Sequence, residues 1–142
     1  MLNLKVIVVD NEAQLQDAYS VRTTVFVEEQ KVPEEEEIDQ FEKEATHFVV
    51  YDDNKPVGAG RLRVVDDYGK VERICILKSY RSQGIGKLLM EEIEAVGRKN
   101  GLTKFKLNAQ TQAEKFYKSL GYETVSGEFL DAGIPHVTMR KS

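Results

Sequence analysis

The run YRSQGIGKLLMEE, residues 80–92, sets Arg81, Gln83, Gly84 and Gly86 within six positions, just ahead of an apolar-striped helical pattern. Residues of these types at this spacing bind anions. A helix N-terminus presents unpaired N–H groups and the positive end of the helix dipole, which together receive phosphate. Glycine lets the backbone come close, and Arg81 and Lys87 add charge. Single residues exclude the familiar nucleotide loops. A P-loop needs glycine five positions ahead of the Gly-Lys pair and Ser or Thr after it; this chain has Arg81 and Leu88 there. A dinucleotide fingerprint needs a third glycine, and Leu89 stands in its place. Neither ATP nor NAD is expected.

The elements that must position this loop follow from periodicity. Leu4–Val9 is a short β-branched strand, and Asn11 with Gln14 forms a capping box for the helix that follows. That helix sets Leu15, Ala18, Tyr19 and Phe26 on one face, and Arg22 falls on the same face. A long cation in an apolar stripe must either snorkel to water or meet an anion. Residues 28–44 form a long loop around Pro33, with room for one helical turn. Thr46–Asp52, Val57–Val65 and Val71–Leu77 are strands joined by the polar turns DNKP and DDYGK, an antiparallel meander. Ile85, Leu88, Leu89, Ile93 and Val96 form the apolar face of the next helix, which closes at Asn100-Gly101. A strand carrying Phe105 and Leu107 follows, then a helix capped by Thr111 and Glu114 with Ala113, Phe116, Tyr117 and Leu120 inward. Two final strands, YETVSGEFL and PHVTMRK, flank a turn at Ala132-Gly133. The order predicts an α/β fold of the α+β type around a mixed sheet, in one domain over residues 1–142.

Bulk properties narrow the function. At 142 residues, 41% hydrophobic and 31% charged, the chain suits one globular core. No run is long enough to cross a membrane as a helix, and MLNLKVIVVDNE lacks the basic region and cleavage site of a signal peptide. One cysteine, Cys75, and two histidines argue against a disulfide framework and against zinc, and suit a cytoplasmic setting. Residues 28–44 carry nine acids and two lysines, a local charge of −7 within a net −4. A broad basic face for nucleic acid is absent from the composition.

Two motifs and a strand then resemble one family. Arg81, Gly84 and Gly86 meet the pattern Arg/Gln-x-x-Gly-x-Gly/Ala, and AEKFYKSLGYE (Ala113–Glu123) looks like Ala-x-x-Phe-Tyr-x-x-x-Gly-Phe/Tyr at the expected distance. With VERICILKSYR as central strand, the chain resembles the GNAT superfamily of acyl-CoA-dependent N-acetyltransferases over nearly its whole length. VRTTVFVEEQKVP, EEIDQFEKEATHFVV and GIPHVTM are similar to its bacterial YjcF-like and ElaA-like branch. Where that branch would place Asp after the aromatic, this chain has Glu42, which keeps the charge on a longer arm.

The resemblance implies a mostly antiparallel central sheet, of about six to seven strands, flanked by helices. It implies that Arg81, Ser82, Gln83, Gly84, Ile85, Gly86 and Lys87 hold the pyrophosphate of acetyl-CoA. Ile74, Cys75 and Ile76 would pair with the pantetheine arm, where two parallel strands splay. Tyr117 takes the general-acid position: a phenol titrating near about 10 stays protonated while a thiol near about 8.5 departs. Its apolar face equally suits a core tyrosine. Asn108 is a CoA contact or a plain strand end, and Glu72 is the base for the amine or a surface carboxylate. Glu28 and Glu29 are weaker rivals for that base, and with Arg22 they border the acceptor side, where the acidic run attracts a cationic amine or is simply solvated. Cys75 is a buried small hydrophobe, and His47 and His136 are structural or hydrogen-bond near the acceptor. The expected activity is direct acetyl transfer to a primary amine of a small molecule or peptide, without metal, nucleic acid or membrane. A silent acyl-CoA-binding or sensing module is the alternative from another class, and another acyl donor or acceptor is a third reading. Oligomeric state is left open, a homodimer included.

Overall fold

β-branched runs separated by tight polar turns assemble here into one twisted eight-stranded sheet. The structure is a computed structural model and describes residues 2–142. In chain order the elements are β1 (Leu4–Val8), α1 (Glu12–Arg22), α2 (Glu34–Glu37), β2 (Thr46–Asp52), β3 (Lys55–Val65), β4 (Tyr68–Ile76), α3 (Ile85–Lys99), β5 (Phe105–Gln110), α4 (Glu114–Ser119), β6 (Glu123–Thr124), β7 (Phe129–Asp131) and β8 (Ile134–Lys141). The strands lie in the order β1-β2-β3-β4-β5-β8-β6, with β7 also on β8. Every neighbouring pair is antiparallel except β4 with β5.

Side-chain alternation divides the core between the two faces of the sheet. Phe48, Val50, Leu62 and Val71 point toward α3, where Leu89, Met90 and Ile93 meet them. Val49, Ala59 and Cys75 point toward α1, onto Ala18, Val21 and Val25. Each such aliphatic side chain taken from water contributes about 1.5–3 kcal/mol. Helix α3 lies close to the sheet at Gly97, where a Cβ would sit 2.6 Å from the Phe105 ring.

Several sequence expectations shift. The Asn11 cap forms, its side chain accepting from Gln14 N–H at 2.8 Å, and Gln14 Oε1 in turn accepts from Asp10 N–H. The Thr111–Glu114 box does not: a 3₁₀ turn occupies Thr111–Ala113, and Glu114 accepts from Thr124 Oγ1 instead. Leu88 is 38% exposed, and Met90 and Gly97 take the core positions. The segment YETVSGEFL is two strands, β6 and β7. Between them Val125 N–H donates to Thr138 O, and Ser126 Oγ accepts from Thr138 N–H, which holds the irregular stretch against β8. Helix α1 runs straight on into a wider π-helical turn over Thr23–Glu29 that periodicity of 3.6 does not register.

The seam between β4 and β5 is short. They pair only at Gly69–Phe105, Lys70–Lys106 and Val71–Leu107, although both strands continue. A bulge accounts for the parting. The β3 register slips between Ala59 and Arg61, and across from it Arg73 adopts a left-handed φ of 59° that bends β4 away.

Candidate functional site

The splay opens a cleft of about 650 Å³ whose walls include Ile74, Asn108, Gln110 and His136, with Tyr117 among them. Tyr117 comes from α4, is 8% exposed, and lies edge-on to Phe116 and Tyr122. Burial pushes its phenol up from the ordinary value, so it keeps its proton throughout the neutral range. Asn108 Oδ1 accepts from Thr138 Oγ1 at 2.8 Å. Gln110 Nε2 reaches Gln30 Oε1 at 2.8 Å, tying the segment after α1 to β5.

Backbone polarity on β4 points the same way. Leu77 N–H donates to Val57 O at 2.9 Å and Cys75 pairs with Ala59, so the N–H and C=O of Ile76 face the opposite edge, into the splay. The Ile76 carbonyl is met there by Arg81 Nε at 2.9 Å. The Cys75 side chain lies on the other face, 4% exposed, with its thiol pushed up to about 12 by burial. Its thiol is held away from the cleft, and its backbone N–H and C=O face β3 at Ala59 rather than the seam.

At the same end of β4 the loop leads into α3 through Gly84, whose φ is +81°. Among the described residues, no N–H from Ser82 through Lys87 donates to another backbone group; the first helical bond is Leu88 N–H to Gly84 O at 3.1 Å. Ser82, Gln83, Gly84 and Lys87 are exposed, whereas the Ile85 side chain is buried beneath them. Unpaired donors at a helix start are the groups that receive anions. Arg81 departs from the expectation. Its guanidinium forks onto both oxygens of Glu29 at 2.7 Å, and that hydrogen bond draws the Glu29 carboxyl below the usual range. Glu29 therefore braces the donor loop. It shares with Glu28 a shallow depression that Lys78 and Ser79 also line.

The acidic run folds over the cleft because buried arginines clamp it. Arg22, 1% exposed, donates Nε to Glu37 Oε1 at 2.8 Å and both terminal nitrogens to Glu42, at 2.9 and 2.7 Å. It has met its anions and is not free to touch an acceptor. Arg61, also 1% exposed, grips Asp39 through two nitrogens at 2.9 and 2.8 Å and Glu72 Oε1 through Nε at 2.9 Å. Burial would raise the Asp39 and Glu42 carboxyls, but the arginine hydrogen bonds outweigh it and hold each at about 2. Much of the run's charge is thus neutralised internally rather than left to attract a cation.

The same network engages Glu72. Arg61 and Arg63 bind its Oε1, and Arg63 and Lys70 reach its Oε2. Against the raising effect of burial, these cations lower its pKa, which makes a poor base. The network also contains residues that sequence spacing did not mark. Arg61 carries the signal that flagged Arg22, a cation amid an apolar run; Glu37, Asp39 and Arg73 carry none. Two buried polar side-chain atoms among the described residues, Glu37 Oε2 and His47 Nδ1, have no hydrogen-bond partner. Among the described residues, no group of His, Cys, Asp or Glu is arranged to hold a metal ion, and no helix is long and apolar enough to cross a membrane.

A family model described as an acetyltransferase (GNAT) domain matches residues 8–142. The uncharacterised N-acetyltransferase YjcF of Bacillus subtilis is 57% identical over 139 residues, 97% of this chain and 99% of its own. A solved N-acetyltransferase structure from Lactobacillus plantarum aligns with a TM-score of 0.91 at 29% identity, covering 97% of both chains. An acyl-CoA N-acyltransferase from Pseudomonas aeruginosa aligns at 0.86 and 26% identity, over 99% of this chain and 100% of its own.

Proposed function

This chain belongs to the GNAT acetyltransferase family, and from that premise we propose that it moves an acetyl group from acetyl-CoA directly to a primary amine. The acceptor is a small molecule or peptide, residues 1–142 act as one transferase domain, and the buried free thiol of Cys75 suits the reducing cytoplasm. One combination carries the reading: unpaired N–H groups at Ser82–Lys87, β4 and β5 parting after Val71–Leu107, and a cleft there lined by Ile74 and Tyr117.

When bound, acetyl-CoA supplies an activated thioester and a diphosphate handle. The N–H groups from Ser82 to Lys87 hold that handle, with Lys87 adding charge and Arg81 positioning the loop through Glu29 and Ile76 O. The unpaired Ile76 N–H donates to an extended arm as one bond of an added strand would, its carbonyl being held by Arg81, while Ile74 and Asn108 line the cleft beside it. Tyr117 hydrogen-bonds to the departing sulfur and gives up its proton as charge develops there. Burial keeps the phenol protonated, so it is present as a hydrogen-bond donor for the sulfur.

Calorimetric titration with acetyl-CoA, ATP and NAD checks the donor: binding to acetyl-CoA alone is expected, and a preference for either nucleotide overturns it. Thiol release with a panel of amines checks turnover. Tyr117→Phe should lower kcat by about 10²-fold or more, the scale of acid catalysis, with the KM for acetyl-CoA held. Equal rates for the two proteins would remove the acid from Tyr117. A second reading, a silent acyl-CoA-binding module, draws on the saturated carboxylate of Glu72 and would show as tight acetyl-CoA binding with no amine-dependent release.

A further inference from the structure

We propose that Glu37 receives the acceptor, its Oε2 taking an N–H from a primary ammonium or amine nitrogen. The inference rests on the transferase reading and names the residue that sets its acceptor class. Four carboxylates enter the buried network, and three are filled. Both oxygens of Glu42 are taken, by Arg22, Arg61 and the Asp39 N–H. Both oxygens of Asp39 are taken, by Arg61, Arg73 and the Phe41 N–H. Glu72 is filled by Arg61, Arg63 and Lys70.

Glu37 is the exception. Arg22 Nε at 2.8 Å and Arg73 Nε at 3.4 Å address Oε1, and Oε2 meets nothing. The residue is 2% exposed and lines the cleft with Tyr117. An ionised carboxylate can accept on both oxygens, and leaving a buried one idle is costly. A donor arriving with the ligand relieves that cost. The two arginines on Oε1 keep the carboxylate oriented, as neighbouring bonds do at a preorganised site. Around it the wall carries Glu35, Glu36 and Asp131 besides the paired acids, against Lys70 and Arg73. An anionic acceptor would meet repulsion here, whereas a primary ammonium finds a carboxylate oxygen ready to accept its N–H.

Glu37→Gln keeps the shape and removes the charge. With n-butylamine, ethanolamine and 1,4-diaminobutane as probes, its KM for the amine should rise about tenfold or more, about 1.4 kcal/mol by the affinity scale, while the KM for acetyl-CoA stays level. Glu42→Gln disturbs the same network without touching an open oxygen, and should lower Tm but leave the amine KM in place. If both variants move the amine KM alike, or if Glu37→Gln moves neither KM, Glu37 does not bind the acceptor. A wild-type measurement covers a variant that does not fold. Titrating n-butylamine into protein labelled with ¹³C at glutamate carboxyls should shift the Glu37 signal beyond those of Glu42 and Glu72, and no such shift overturns the proposal. Should wild type bind these amines yet release no thiol, the transferase reading fails while the Glu37 signal still decides the site.

Discussion

A guanidinium with 1% of its surface in water must bring its counter-charges into the fold, and Arg22 does so with Glu37 and Glu42. Removing the cation would leave two buried carboxylates short of their main partner, with Arg73 and Arg61 alone beside them. Arg22→Met is therefore expected to cost about 3–5 kcal/mol, the range for breaking one side of a buried ion pair, read as a drop in the urea midpoint. Arg81→Met provides the contrast. Its fork to Glu29 is about one-third exposed on each side, so the same experiment should register about 0–1 kcal/mol. Position in the chain explains which of these residues could be anticipated. Arg22 stands in an apolar helical stripe, a local conflict that announces a buried partner. The partners lie 15 and 20 positions away inside a run of similar acids, and nothing local separates Glu37 from Glu36 or Glu35. Glu72 is hard to read for the same reason: alternation places it on β4 near Lys70, while Arg61 and Arg63 reach it from β3 and are set by register.

Among the elements, α3 matters twice, since its start is the anion cradle and its last turn packs on Phe105. At Gly97 an added methyl would come within 2.6 and 2.9 Å of that ring. Gly97→Ala should lower stability by about 1–3 kcal/mol through overpacking, seen as a lower Tm. Because the helix must shift to relieve the clash, weaker calorimetric binding of acetyl-CoA should accompany it. Strand β2 is legible to the residue, Thr46–Asp52, because its turns and β-branched run are local signals. The splay is not. It depends on Arg73 adopting a left-handed backbone, a conformation that arginine seldom takes and no residue type there advertises. The π-helical turn after α1 escapes for a related reason, since it rotates Val25 rather than Phe26 into full burial.

For the whole molecule, the charged network sets the response to acid. Asp39 and Glu42 titrate at about 2 in the fold, below ordinary carboxylates near about 4. A depressed carboxyl adds stability above its unfolded pKa and loses it as pH falls toward the folded one. Burial also lowers His47, despite its Nε2 contact with Glu42 O, so the unfolded chain takes that proton first. Tm should thus hold through pH 7, slope gently downward below about 6.5, and fall steeply between about 4.5 and 2. His47→Gln should erase the gentle phase only; persistence of that phase would assign it elsewhere. The parted seam between β4 and β5 has a counterpart in time. In hydrogen–deuterium exchange an amide's lifetime follows its bond rather than its depth in the sheet. Cys75 N–H, paired to Ala59, should be long-lived, whereas the adjacent Ile76 N–H, beyond the last β4–β5 pair, should label within the fast phase. Neighbouring amides in the middle of an eight-stranded sheet would then differ as a core differs from an edge, and adding acetyl-CoA should slow Ile76, with the Ser82–Lys87 amides, while leaving Cys75 unchanged.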